Sequence, residues 1–136
     1  NHNRFTLLNR EADEMYDLAA SRGMAIINAA PFAGGILAKG PRQTSKITYQ
    51  EASKEALEPV HAIEKLCSEF GVDMGAAALQ FSLRDQRISS TLCGVTSPQS
   101  IDKTLAWAQQ NIPEEFWQHM AQIPYSTENP EAARKL

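Results

Sequence analysis

Two short stretches of this 136-residue chain have the residue types of an anion cradle. Ala33, Gly34 and Gly35 follow an apolar run and strip side-chain bulk from a loop, which lets backbone N–H groups approach phosphate oxygens. Gly94, Thr96 and Ser97 precede Pro98. Ser-Pro is a helix-start signal, and the positive end of a helix dipole favours an anion there. Each stretch also has an ordinary explanation: a Gly pair serves a plain turn, and Ser97 with Pro98 serves plain capping. Their joint placement, each after a buried strand, is what points to phosphate chemistry.

Other chemistry finds less support. Tyr16 lies on a helical stretch, Tyr49 near a helix start and Tyr125 in the tail, none with a Lys and an acid arranged at strand ends. His61 and His119 fall within helices and His2 near one end, so no catalytic residue is assigned. Cys67 and Cys93 lack the paired Cys/His spacing of a zinc site; no metal is expected, and reduced cytoplasmic thiols fit both. With 13 basic and 16 acidic side chains in mixed order, no basic stripe invites nucleic acid. No stretch approaches the roughly 20 apolar residues of a membrane span. The chain starts at Asn1 rather than Met, which reads as a processed or truncated product.

The elements that must position the two loops follow from periodicity. Residues 5–8 read as a strand, and Asn9 as the N-cap of a helix whose apolar face is Ala12, Met15, Leu18 and Ala19. That helix stops near Arg22 and Gly23, and the continuous apolar run Met24, Ala25, Ile26, Ile27 reads as a strand buried on both faces. Thr48 and Glu51 stand at capping-box spacing, opening a helical run that is interrupted or begins anew at Pro59. Val60, Ile63, Leu66, Cys67 and Phe70 mark its apolar face, up to Gly71. Asp73 caps a second helix with consecutive alanines, residues 90–93 form a third buried strand, and Ile101, Leu105 and Ala108 mark the next helix. A last helix from Pro113 presents Phe116, Met120 and Ile123, and residues 125–136 form an extended or loose tail.

Strand and helix thus alternate three times, the order of βαβ units with parallel strands and right-handed crossovers. The segments "NRFTLLNREA", "INAAPFAGGILA", "MGAAALQFSL" and "CGVTSPQSIDKTLAW", in this order, resemble the C-terminal half of aldo-keto reductases, closest to the branch of D-threo-aldose 1-dehydrogenase and L-fucose (galactose) dehydrogenase. The fold class this implies is α/β: a partial (β/α)8 TIM barrel, about the last three βα units, with parallel strands and outer helices over residues 1–124. The activity implied is hydride transfer between NAD or NADP and a small sugar-like aldehyde or alcohol, without a metal. The cofactor-binding residues implied are Ala29, Pro31, Phe32, Ala33, Gly34, Gly35 and Leu37 after barrel strand seven, with Gly94, Val95, Thr96, Ser97, Ser100 and Thr104 after strand eight.

The chain departs from the family pattern at three of these. Ala29 stands where an aromatic residue often stacks on the nicotinamide, Ser100 where an arginine often grips the 2′-phosphate of NADP, and Thr104 where Asn is usual. A preference for NADP is not supported. The catalytic Asp, Tyr, Lys and His of the family belong to the first half of the barrel, so this chain alone is expected to be inactive. Its expected partners are a missing N-terminal barrel half or a second copy of itself, with no nucleic acid and no membrane. Two other readings stand beside this one: a half-barrel serving as an association or scaffold module, since open strands leave edges to pair, and a small phosphate-binding β/α protein of another family.

Overall fold

Two short strands pair in parallel, β1 (Ile27–Ala29) and β4 (Ser90–Leu92), with Ile27 opposite Ser90 and Ala29 opposite Leu92. The computed structural model describes residues 1–132, so the last four residues of the expected tail lie outside the described residues. Residues 1–3 extend the sheet on the far side of β1: Ala29 N–H donates to Asn1 O at 2.9 Å and Asn3 N–H to Ala29 O at 3.3 Å. The strand expected at residues 5–8 is therefore displaced toward the start of the chain. Asn3 has φ +62°, a left-handed conformation that Asn tolerates better than most residues. There the extended run ends, and Phe5, Thr6, Leu7 and Leu8 become a buried loop closed by a Thr6–Asn9 turn.

The helix α1 (Asp13–Ser21) starts and stops close to the expected places. Its cap differs: Ala12 holds the N-cap position, and the Asn9 side chain instead accepts from Glu11 N–H at 3.0 Å. Its buried face differs too. Ala12 and Tyr16 are buried, whereas Met15 and Leu18 are exposed.

Gly23 takes φ +67° and Met24 N–H folds back onto Ala19 O, which delays β1 by three residues relative to the expected run. The sheet is not buried on both faces. Asn28 points into the protein and is fully buried, while Ile27 and Leu92 are 50% and 55% exposed on the opposite face. One side of the sheet packs on helices and the other is uncovered.

After β1, a single 3₁₀ turn (Ala33–Gly35) leads into α2 (Ile36–Lys39). A small antiparallel hairpin follows, β2 (Lys46–Ile47) with β3 (Gln50–Glu51), where a capping box was expected. Ser53 is the N-cap of α3 (Lys54–Phe70), its hydroxyl accepting from Ala56 N–H at 3.2 Å. That helix runs unbroken through Pro59 to Gly71, which ends it at φ +64°. Its Val60, Ile63, Leu66 and Cys67 join Leu7, Leu8, Ile36, Leu37, Phe116 and Met120 in the main core.

The alanines of α4 (Met74–Leu83) are buried against this core and against α5 (Pro98–Gln109). Asp73 stands at the N-cap of α4 without capping it; its carboxylate accepts from Trp107 Nε1 at 3.2 Å. Trp107 is the buried residue of α5, and Ile101 and Leu105, expected on the inner face, are exposed. The helix α6 (Glu114–Met120) buries Phe116 and Met120 as expected.

The tail is extended but bound. Ser126 N–H donates to Leu8 O at 2.9 Å, Ser126 O accepts from Arg10 N–H at 2.8 Å, and Asn9 Nδ2 donates to Glu128 O at 2.9 Å. His2 Nδ1 lies 2.9 Å from Glu131 Oε1.

A cluster of charge ties α1 to the turn before β4. Arg87 reaches Asp13 at 2.7 Å, Asp17 at 2.6 Å and Asp85 at 2.6 Å. Burial pushes the Asp85 carboxyl up, but the Arg87 hydrogen bonds outweigh it and hold Asp85 below the ordinary carboxylate value. A carboxylate depressed by folding adds stability that is complete above its unfolded pKa, near 4, and is lost as pH falls through the folded value. Arg87→Met should therefore flatten the fall of stability below about pH 4. Urea titrations across that range read the effect, and an unchanged acid limb would refute it.

Candidate functional site

The two glycine-containing loops leave neighbouring strands at the same end. Ala29 is opposite Leu92, and Ala30 N–H continues the ladder by donating to Leu92 O at 3.2 Å. The carboxyl ends of adjacent parallel strands are where β/α proteins place their ligands. Ring contact fixes the pair further: Phe32 of the first loop lies 5.6 Å from Trp107 of α5, tilted by 60°.

Within the first loop the expected residues divide. Pro31, Ala33 and Leu37 are buried, so their side chains belong to the core. Ala29, Phe32, Gly34 and Gly35 are half-buried. The glycine pair has an internal cause. A Cβ on Gly34 would stand 2.8 Å from Tyr49 N and 3.0 Å from Thr48 Cα, and Thr48 N–H donates to Ala33 O at 3.0 Å. The backbone that approaches Gly34 is the hairpin of the same chain.

That hairpin escaped the sequence reading. Its two turn residues, Thr48 and Tyr49, have φ +50° and +69° without the Asn or Gly that marks such turns. Loop N–H groups are also engaged: Ala33 donates to Ala30 O, while Gly35 and Leu37 both donate to Phe32 O.

The second loop is more open. Residues 94–97 are all exposed, and a Cβ on Gly94 would meet nothing within 4 Å. Gly94 has no positive φ either, so the fold does not require glycine there. Ser97 and Ser100 form a reciprocal capping box at the start of α5. The Ser100 hydroxyl accepts from Thr96 N–H at 3.1 Å and Ser97 N–H at 3.0 Å and donates to Ser97 O at 2.7 Å. Thr104 donates its hydroxyl back to Ser100 O at 2.7 Å. Lys103 Nζ lies 4.8 Å from the Trp107 ring centre. Neither Ser100 nor Thr104 directs a cation at a ligand.

The tyrosines and histidines are placed elsewhere. Tyr16 is buried, bonded to Asn28 at 3.0 Å, and burial pushes its hydroxyl up to about 12. His61 and His119 are exposed on α3 and α6. Burial also pushes the Cys67 thiol up to about 12, and Cys67 and Cys93 are both free. Among the described residues no group of three His, Cys, Asp or Glu could hold a metal ion, and no helix is long and apolar enough to cross a membrane.

The sequence profile of the aldo/keto reductase family matches residues 1–124. The chain belongs to the aldo/keto reductase family. Its similarity to pyridoxal 4-dehydrogenase of Microbacterium luteolum is 39% identity over 115 residues, 84% of this chain and 34% of that protein. With D-threo-aldose 1-dehydrogenase of a Pseudomonas species it shares 27% over 121 residues, 88% of this chain and 37% of the relative. An aldo-keto reductase of Bacillus halodurans in its holo form superposes with a TM-score of 0.68 at 18% identity, covering 97% of this chain and 44% of the other. The aldo/keto reductase fold seen here is thus a partial TIM barrel, and the chain spans about a third of the length of the curated relatives it matches.

Proposed function

We propose that this chain is the dinucleotide-holding part of an aldo/keto reductase that oxidises or reduces a small hydroxylated aldehyde or alcohol in the cytoplasm. The observation that carries the reading is the side-by-side exit of the two loops, joined by the Ala30–Leu92 hydrogen bond. The open run 94–97 at the start of the twelve-residue α5 fits the anionic part of a dinucleotide, and the half-buried Ala29 and Phe32 fit the rim nearer its nicotinamide end. When bound, the dinucleotide supplies the hydride acceptor or donor. Proton transfer to the substrate oxygen needs a titrating group at that site, and Tyr16, with its hydroxyl bonded inside the fold, does not supply one. The purified 136-residue chain should bind nucleotide without turnover.

Titration with NAD and NADP tests this. NAD should bind at least as well as NADP, because Ser100 offers no charge to a 2′-phosphate. Gly94→Val should weaken NAD about tenfold while leaving stability within about 0.5 kcal/mol, and Ser100→Arg should favour NADP. Equal affinity for inorganic phosphate and for dinucleotide would sink the reading. A second reading, an association module, draws on the uncovered sheet face with Ile27 and Leu92 half exposed. A chain that ignores nucleotide and self-associates in the same samples, seen by sedimentation, would follow that second reading.

A further inference from the structure

A groove of about 440 Å³ lies between the residue before α1, the end of α4, α6 and the residues that follow it. Its size is within the usual range for small-molecule sites. It shares no residue with the two dinucleotide loops, so nothing about it depends on that proposal.

Its walls are cationic and aromatic. Arg10 and Arg84 line it together with Phe81, Trp117, Met120 and Tyr125. The Arg10 guanidinium carbon lies 3.9 Å from the centre of the Phe81 ring and 4.7 Å from that of Tyr125, and the Arg84 guanidinium carbon lies 4.7 Å from that of Trp117. Ring faces attract a cation, yet they leave its in-plane N–H groups without an acceptor.

Arg10 lacks a counter-ion. Arg4 meets Glu11, Arg84 meets Glu114 and Arg87 meets three aspartates, whereas no carboxylate among the described residues lies within ion-pair reach of Arg10. Arg10 is half-buried, and burial pushes its guanidinium down to about 10. Its side chain gives one hydrogen bond among the described residues, from Nη1 to Asn9 O at 3.1 Å. Nε and Nη2 remain, and these two form the side-on fork that grips a carboxylate through two parallel bonds. Neither nitrogen is sealed off, since the buried polar atoms without a partner among the described residues are Asn3 Oδ1 and Trp117 Nε1.

The neighbouring charges place the anion. Asp85 is the acidic residue of the lining, and Arg87 holds both of its oxygens, Nε to Oδ1 at 3.0 Å and Nη2 to Oδ2 at 2.6 Å. Arg84 donates Nη2 to Glu114 at 2.9 Å, which leaves the Arg10 fork as the open one. A second cleft bordered by Arg10 and Tyr125 holds Glu11, Asp13 and Glu14, whose charge repels an anion.

We infer that the groove binds a small aromatic carboxylate. The carboxylate accepts from Nε and Nη2 of Arg10, and the ring lies against Trp117, Met120 and Tyr125.

Benzoate, benzamide and acetate, titrated into the protein by calorimetry at low salt, test it. Benzoate should bind; benzamide, without the charge, and acetate, without the ring, should each bind at least about fivefold more weakly. Arg10→Lys keeps the cation and removes the fork, and it should weaken benzoate about tenfold. Arg84→Gln changes an exposed residue with little risk to folding, and it should weaken benzoate about threefold. Benzamide or acetate binding as tightly as benzoate, or a benzoate affinity indifferent to both substitutions, would overturn the proposal.

Discussion

Replacing Asn28 by alanine is expected to destabilise the protein by about 3–5 kcal/mol, read as a lower urea midpoint at unchanged slope. Asn28 is fully buried and uses its whole amide. Its Oδ1 accepts from Asn1 Nδ2 and the Tyr16 hydroxyl, both at 3.0 Å, and its Nδ2 donates to Phe5 O at 3.0 Å and Ser82 Oγ at 2.8 Å. Ser82 Oγ is in turn 2.7 Å from Thr91 Oγ1 of β4. One side chain therefore joins the first residues, α1, α4 and both paired strands. Truncation strands a buried carbonyl and a buried hydroxyl, each costing about 1–3 kcal/mol, and leaves a cavity besides. Asn28→Asp, of equal size, should be no milder, because an oxygen would face Phe5 O. A loss under about 1 kcal/mol would mean that the network carries little of the fold.

Gly34→Ala should cost about 2–4 kcal/mol, and Gly94→Ala less than about 0.5 kcal/mol, in the same assay. At Gly34 two penalties add. The φ of +74° is strained for any residue with a Cβ, and that Cβ would meet backbone atoms of Thr48 and Tyr49 at 3.0 Å and below. Backbone in a hairpin yields less readily than a flexible side-chain end. Gly35 provides an internal contrast: its φ is +105°, but the nearest atom to a Cβ is the Lys39 Cε at 4.0 Å, so Gly35→Ala measures the conformational part alone. If Gly34→Ala proved no worse than Gly35→Ala, the hairpin would not be pressed against the loop as described.

Some helix ends were legible and others were not, Asn9, Asp73 and Thr48 failing to cap as expected. Gly71 stops α3 and Ser97 with Pro98 starts α5, because these signals act through the backbone of the residues that carry them. Apolar spacing was less informative about burial. Met15, Leu18, Ile101 and Leu105 have helical spacing yet are exposed, since periodicity marks a face without stating what covers it within this chain. Tyr16 and Trp107 took the buried positions instead, each with its polar atom bonded to Asn28 or Asp73. The tetrapeptide Ile47, Thr48, Tyr49, Gln50 has none of the residues that favour a left-handed turn, so tertiary contact with Ala33 rather than local chemistry explains the hairpin.

The candidate site was legible in its parts and not in its causes. Both loops do leave adjacent strand ends, as element order implied. The need for small residues at Gly34 was readable, but not that the approaching group is the chain's own Thr48 and Tyr49. Ser100 showed the converse. That Ser100 brings no charge to this loop was readable, whereas its hydroxyl's complete use in capping α5 was not.

The tail's bonds to residues 2–10 span almost the full length of the sequence. A ribosome delivers residues 126–131 more than a hundred residues after Asn9 and Arg10, which lack these partners until then. Such late closure delays the protection of residues 2–10, because distant contacts must wait for everything between them.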